Sequence, residues 1–208
     1  MVYPKPYLWE ENKALSFFEI YRKICGHYSV NPFISREMIA LIFFEETGFS
    51  NVRQNRGTGP AVGFGQMEIY NHDKIPFFEW LGFNSNRWDR KSPLRLITPE
   101  QITNDNDLSV KITCKYFDWL LGVKGKSTMG ALEAQTGGGA NRTIIPCWLN
   151  AERELKSVIR SGDRMKLIRA LNMARSGGPH PNPIKYEWYQ AYWEFTVPNN
   201  PQAWRIAA

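Results

Sequence analysis

The sequence lacks the long apolar runs that mark membrane proteins. No stretch reaches the roughly 20 uncharged apolar residues that a helix needs to cross a bilayer. The opening residues, "MVYPKPYLWEENK", contain no uninterrupted apolar segment, so we expect no signal peptide and no membrane span. The 208 residues suffice for one sizeable domain, and we expect a single domain over 1–208.

Cysteine and histidine are too few, and too irregularly spaced, to predict a disulfide framework or a metal centre. The three cysteines, Cys25, Cys114 and Cys147, are odd in number and form no Cys-x-x-Cys pair. We expect them to be reduced residues of a packed interior. The histidines form no His-Glu-x-x-His pattern. We therefore expect neither a metal ion nor an organic cofactor.

Charge and aromatic content narrow the class of partner without identifying it. The net charge of +6 favours anionic polymers, which include nucleic acid, membrane surfaces and the bacterial cell wall. Aromatic residues make up 14% of the chain and can fill a core or line a groove for sugars and bases. The densest basic cluster, "RKSPLR" at 90–95, is short. No helix-turn-helix or RNP-like pattern is present, so we do not predict nucleic acid as the partner.

Apolar spacing predicts a mainly α-helical fold. We predict helices over 10–25, from Ser35 to about 46, and over 98–102, 107–122, 128–136, from Pro146 onward, 163–175 and 184–195. Ser35 is a good N-cap for its helix, and "TPEQI" at 98–102 combines a Thr cap, a first-turn proline and a glutamine three residues after the cap. Strict alternation is scarce, so at most a small β-hairpin is expected, within 55–70.

Two adjacent carboxylates end the second predicted helix. The stretch "FFEETGFSN" at 43–51 places Glu45 and Glu46 close to the apolar side, and spacing alone does not choose between them. Burial would raise the pKa of either one, because desolvation disfavours the charged form. A carboxylic acid still protonated near neutral pH is what the general acid of a glycosidase must be. The alternative is a solvated pair, since glutamate is rarely buried unless paired.

A glycine-rich loop follows these carboxylates and favours a cleft over the solvated pair. It contains Gly57, Gly59, Gly63 and Gly65, and glycine lets the backbone approach a ligand closely. An acid at a helix end that faces a glycine-rich wall is the arrangement expected of a cleft.

Three short motifs in this region resemble those of lytic transglycosylases and goose-type lysozymes. "ETGFSN" at 46–51 resembles their E-S-x-F motif, "GFGQM" at 63–67 resembles G-L-M-Q, and "ALEAQTGGGAN" at 131–141 resembles A-Y-N-x-G. The resemblance covers roughly residues 35–150 and implies a lysozyme-like fold, with 1–34 and 151–208 as additional helical segments. It also selects Glu46 over Glu45, because Glu46 immediately precedes the hydroxyl residue of the first motif.

The resemblance further implies a set of substrate-binding residues. These are Thr47, Gly65, Gln66, Tyr70, Gln135 and Thr136. Thr47 stands in place of the family's serine, and Gly65 in place of its methionine. Gln135 and Thr136 stand where the family has tyrosine and asparagine; both can hydrogen-bond, but helix capping explains them equally well.

Aromatic residues near the motifs are candidates for stacking on sugar faces. Tyr70 and Trp148 are the candidates, whereas Phe64 is expected in the core.

Glu68 is the candidate second carboxylate, and Asp73 is a weaker candidate for the same role. Goose-type lysozymes often carry an acid at the position of Glu68, where it would position a water. Lytic transglycosylases usually lack a second essential carboxylate, since the acetamido group of the substrate assists. An inverting hydrolase would place its two carboxyl groups roughly 6.5–9.5 Å apart. Glu68 therefore favours hydrolysis, with solvent exposure as the alternative interpretation.

The expected function is a muramidase that hydrolyses the β-1,4 bond between N-acetylmuramic acid and N-acetylglucosamine in peptidoglycan. The alternatives are a lytic transglycosylase that forms 1,6-anhydro ends and a non-catalytic glycan-binding module. A phosphate-binding loop at "GVKGKST" (122–128) is not favoured, because Leu120 occupies the position of its first glycine.

Peptidoglycan lies outside the cytoplasmic membrane, yet no signal peptide is expected. This combination fits a phage lysis protein, a virion-borne protein or an effector injected by a secretion apparatus. An effector would also have an immunity protein as its partner.

Overall fold

The computed structural model describes residues 10–29, 31–54, 59–136, 141–174 and 190–199, and these are mainly helical, as predicted. The helices are α1 (Phe17–His27), α2 (Arg36–Thr47), α3 (Ile75–Trp80), α4 (Pro99–Thr103), α5 (Asn106–Asp118), α6 (Thr128–Gln135), α7 (Asn141–Ser161), α8 (Arg164–Met173) and α9 (Gln190–Thr196). Short 3-10 turns cover Glu11–Lys13 and His72–Lys74, and a π-helical turn at Trp119–Val123 extends α5. The strands are β1 (Ala61–Val62), β2 (Met67–Glu68), β3 (Phe83–Asn84) and β4 (Arg95–Leu96).

Side-chain caps fix the beginnings of several helices. The Ser35 hydroxyl accepts a hydrogen bond from the backbone N–H of Met38, 3.1 Å away, and begins α2 as predicted. Thr98 and Gln101 form the predicted reciprocal capping box at the start of α4. Both predicted caps are confirmed. The sequence predicts them because each cap and its partner lie at most three residues apart.

Two helices have boundaries that differ from the prediction. Ser16 forms a capping box with Glu19, so α1 begins at Phe17 rather than near residue 10, and it continues through Gly26 instead of ending there. Helix α7 begins at Asn141, so Pro146 lies inside it rather than opening it. Gly57, the glycines of 137–139 and residues 184–189 of the last predicted helix lie outside the described residues.

The predicted small hairpin is present. Strand β1 pairs antiparallel with β2, with Ala61 opposite Glu68 and Val62 opposite Met67. The turn consists of residues 63–66 and uses left-handed backbone at Gly63, where φ is +82°, and at Gln66, where φ is +47°. The second pair, β3 with β4, is parallel and was not predicted.

Helix α2 runs through the middle of the core. Every residue from Met38 to Phe44 is buried, and α2 packs against α1 on one side and α7 on another. Helix α1 also packs on α5, and α7 packs on α8. A helix that is apolar on all sides requires such an enclosed place. Its C-terminal end, where Gly48 adopts φ +58°, therefore carries Glu45 and Glu46 at the edge of the core.

Neither a bilayer-spanning helix nor a metal-binding cluster occurs in the described part of the chain. None of its helices combines the length and apolar character needed to cross a membrane. No three acidic, histidine or cysteine side chains group there as metal ligands. Cys114 is buried and unpaired, and Cys25 and Cys147 are half-buried and unpaired.

Candidate active site

The end of α2 is joined to the hairpin turn through Thr47. This side chain is fully buried, and its hydroxyl lies 3.2 Å from the carbonyl oxygen of Phe43 and 3.2 Å from that of Phe64. The rings of Phe43 and Phe64 also pack with their centroids 5.8 Å apart. Thr47 therefore has a structural role in the site, and it places Glu46 where the helix meets the hairpin.

Glu46 is a half-buried carboxyl with a strongly raised pKa. Burial is the main cause, and the negative charge of Glu45 adds to it, while Lys74 opposes both. Together they raise the pKa of Glu46 from 4.5 to about 7. Near neutral pH, a large fraction of this carboxyl is therefore protonated and able to donate a proton.

Lys74 is the cation whose charge lowers the pKa of Glu46. It ends the 3-10 turn before α3 and is half-buried, with Nζ 4.9 Å from the centroid of the Tyr116 ring. Burial lowers the pKa of Lys74, and the charges of Glu68, Glu46 and Asp73, in that order, raise it. The fold thus brings both predicted catalytic carboxylates within electrostatic reach of one ammonium group.

Glu68 lies at the end of β2 and is half-buried. Its Oε2 atom accepts a hydrogen bond from Asn71 Nδ2 at 2.9 Å. Asp73, by contrast, is exposed, and its backbone N–H donates to Asn71 Oδ1 at 3.0 Å. Asn71 therefore orients the more sheltered of the two predicted second carboxylates.

Gly65 is required by the close packing of the turn on α5. A Cβ atom there would lie 2.6 Å from Thr113 Oγ1, 2.8 Å from Thr113 Cγ2 and 3.2 Å from Phe43 Cε1. The neighbouring backbone N–H of Phe64 donates to Ser109 Oγ at 3.0 Å, which fixes the turn on the same helix. Packing against α5, rather than room for a ligand, accounts for glycine at position 65.

Gln66 stabilises the hairpin from within. Its Nε2 donates to the carbonyl oxygens of Gly63, 2.8 Å away, and Val52, 3.1 Å away. Its Oε1 is buried and accepts no hydrogen bond from the described residues. The side chain therefore supports the turn, and its acceptor oxygen has almost no surface that a ligand could contact.

Residues of the third motif meet the turn directly. Gln135, the last residue of α6, is buried, and its Nε2 donates to the Gly65 carbonyl oxygen at 2.7 Å. Gln135 therefore contacts the hairpin turn directly and joins the end of α6 to it. Thr136 ends α6: its N–H donates to Leu132 and its hydroxyl to the Glu133 carbonyl, as the capping interpretation expects.

The aromatic candidates differ in their exposure. Trp148 is 1% exposed and belongs to the core face of α7, so its interpretation as a sugar-stacking residue is wrong. Phe64 is fully buried, as expected. Tyr70 is half-buried, and the Arg87 guanidinium lies over its ring, 5.4 Å from the centroid. Only Tyr70 among these three keeps a surface that a ligand could reach.

The sequence analysis did not predict three residues that act on the candidate site residues: Lys74, Asn71 and Arg87. Asn71 follows Glu68 by three residues in a turn, a local signal that was available. Lys74 reaches Glu46 and Tyr116, and Arg87 reaches Tyr70, only through the tertiary fold, and no spacing rule indicates these contacts.

Neither a protein-family model, a curated protein nor a solved structure matches this chain. Its chemistry therefore has to be inferred from its own residues and their geometry.

Proposed function

We propose that the protein is a muramidase that hydrolyses the β-1,4 bond between N-acetylmuramic acid and N-acetylglucosamine in peptidoglycan. The half-buried carboxyl of Glu46, with its pKa raised to about 7, carries the proposal. A protonated acid of this kind is the group that a glycosidase needs to activate its leaving group. The choice of peptidoglycan rests on the resemblance of the motifs at 46–51, 63–67 and 131–141 to muramidase motifs.

In the proposed reaction, Glu46 donates its proton to the glycosidic oxygen as the bond between that oxygen and C1 of the sugar breaks. Burial and the charge of Glu45 keep Glu46 protonated beforehand. Once the proton has left, the new carboxylate is attracted to the ammonium group of Lys74. The charge that develops during the reaction thus meets an opposite charge that is already in place.

Glu68 supplies the second function that hydrolysis requires. Its carboxylate, oriented by Asn71, accepts a proton from the water that attacks C1, and its negative charge also stabilises the positive charge that develops on the sugar. The hydroxyl of that water adds to C1, and the departing sugar leaves with the proton of Glu46.

A lytic transglycosylase is the second candidate. The charges that act on the pKa of Glu46 are those of Glu45 and Lys74, and Glu68 is not among them. A single shielded acid is enough for the transglycosylase reaction. The acetamido group of the substrate then assists at C1. The C6 hydroxyl of the muramic acid gives its proton to the Glu46 carboxylate and closes the 1,6-anhydro ring in place of water. The products of the two reactions differ by one water.

Mass spectrometry of the soluble fragments released from purified peptidoglycan tests the proposal. The native chain, Glu46→Gln and Glu79→Gln are compared, with Glu79 as an exposed glutamate on α3. We expect fragments that end in reducing muramic acid from the native chain and from Glu79→Gln, and none from Glu46→Gln.

Other outcomes are equally informative. Fragments lighter by one water would show that the reaction is transglycosylation rather than hydrolysis, and Glu68 would then not be required as a base. Release by Glu46→Gln at the native rate would exclude Glu46 as the acid. If no protein releases fragments but the native chain co-sediments with peptidoglycan, the protein is a glycan-binding module.

A further inference from the structure

The connection between β3 and β4 exposes a tryptophan. Trp88 is 78% exposed, more than any other large apolar side chain in the described part of the chain. A tryptophan in this position contributes little to the core, because most of its surface stays in water. Its exposure therefore points to a role outside folding.

The connection is held in a defined shape. Asn84 donates to the carbonyl oxygen of Asp89 at 3.0 Å and accepts from the N–H of Asn86 at 2.8 Å. Asn86 in turn accepts from the N–H of Trp88 at 3.1 Å. Strands β3 and β4 pair at the base of the connection. Trp88 is thus presented at a fixed position rather than on a loose segment.

Arg87 joins this connection to the candidate active site. Its guanidinium lies 5.0 Å from the centroid of the Trp88 ring and 5.4 Å from that of Tyr70. Tyr70 follows Glu68 by two residues, directly after the hairpin. Tyr70, Arg87 and Trp88 therefore form a continuous surface next to the hairpin, which we name the aromatic–arginine platform.

The connection that carries Arg87 and Trp88 is rich in positive charge. Residues 85–95 contain four cations and one carboxylate, and the cations Arg87, Arg90, Lys91 and Arg95 are all exposed. None of the four forms a salt bridge with another residue in the described ranges. An anionic ligand would therefore find cations that no carboxylate of the described residues already pairs.

We propose that the aromatic–arginine platform binds a muramic acid unit that carries its carboxylate-bearing stem peptide, on the strand whose bond reaches Glu46. This inference rests on the proposed function. The flat face of the sugar stacks on Trp88, and the carboxylates of the stem pair with Arg87 and its neighbouring cations. The platform thus selects stem-bearing peptidoglycan over a neutral glycan such as chitin.

Binding is measured in the Glu46→Gln background, so that cleavage does not remove the ligand. Co-sedimentation is compared for intact peptidoglycan, peptidoglycan whose carboxylates have been amidated, and chitin. The variants are Trp88→Ala, Arg87→Ala and Arg87→Lys, with Phe33→Ala as the control, because Phe33 is 62% exposed but lies before α2. Unfolding midpoints check that each variant keeps its fold.

We expect Trp88→Ala and Arg87→Ala to weaken binding to intact peptidoglycan about tenfold, and Phe33→Ala to leave it unchanged. Arg87→Lys keeps the charge but loses the planar group, so part of the loss remains. Amidation of the carboxylates should weaken binding by the Glu46→Gln parent to a similar degree. It should also abolish the difference in binding between this parent and Arg87→Ala.

Equal binding by Trp88→Ala and Phe33→Ala would overturn the inference, as would equal binding to intact and amidated peptidoglycan. Tighter binding to a single-stranded oligonucleotide than to peptidoglycan would assign the platform to nucleic acid instead. The result is separable from the proposed function: the platform can bind when no fragments are released, and fragment release can persist when the platform variants bind normally.

Discussion

Replacement of Glu46 by glutamine is expected to stabilise the protein, and to do so only at high pH. The folded carboxyl has a pKa of about 7, whereas 4.5 is its ordinary value in an unfolded chain. Between these two pH values the folded state binds more protons than the unfolded state. The free energy of unfolding of the native chain therefore falls as pH rises through this window.

The size of the effect follows from the two pKa values. One pKa unit corresponds to about 1.4 kcal/mol, so a pKa moved from 4.5 to about 7 costs the folded state about 3 kcal/mol at pH 8. Partial solvent exposure of Glu46 reduces this penalty to about 2–3 kcal/mol. Glutamine has the same shape and cannot ionise, so Glu46→Gln escapes the penalty.

Urea unfolding followed by tryptophan fluorescence at pH 4.5, 6, 7 and 8 measures the effect. We expect Glu46→Gln and the native chain to be about equally stable at pH 4.5 and to diverge as pH rises, with an unchanged dependence on urea. Glu79→Gln, on the exposed side of α3, is the control for a Glu-to-Gln change. A stability difference that is the same at every pH, or a variant less stable than the native chain at pH 8, would refute the reasoning.

Two further predictions concern the turn beside this acid. Gly65→Ala is expected to lower stability by roughly 1–3 kcal/mol in thermal denaturation, because its Cβ would overlap Thr113. The double variant with Thr113→Ala should recover part of this loss, and strictly additive losses would contradict the prediction. Gln135→Leu is expected to cost roughly 1–3 kcal/mol in chemical denaturation, since the buried Gly65 carbonyl loses its donor. An unchanged midpoint would mean that another donor replaces the amide, and Glu133→Gln, on the exposed side of the same helix, is the matched control.

The features that the sequence predicts well are those encoded within a few residues. The caps at Ser35 and Thr98 and the hairpin within 55–70 depend on local chemistry, and each was confirmed. The start of α1 was also encoded locally, by Ser16 and Glu19, but the apolar spacing before it obscured that signal. Helix α3 and the pair β3–β4 are too short to produce a pattern and depend on packing with the rest of the chain.

The candidate site shows the same division between features encoded locally and features that depend on the tertiary fold. Glu46 was selected over Glu45 only by the resemblance of its motif, and the depth of its burial and its relation to Lys74 come from the tertiary fold. Trp148 shows the opposite case, because the type of residue does not reveal whether it lies on the core face or the solvent face of α7. Gln135 was placed near the site by its motif, while its bond to Gly65 joins segments 70 residues apart.

Three helices hold the four-residue turn beside the acid: α2 through Thr47, α5 through Ser109 and α6 through Gln135. The hairpin itself has only two residue pairs, too few for an independent structure. The turn therefore acquires its shape only when these helices have assembled, and the raised pKa of Glu46 develops in the same cooperative step. A fragment without α6 would lack both, so the smallest fragment that retains this candidate site extends at least from α2 to α6.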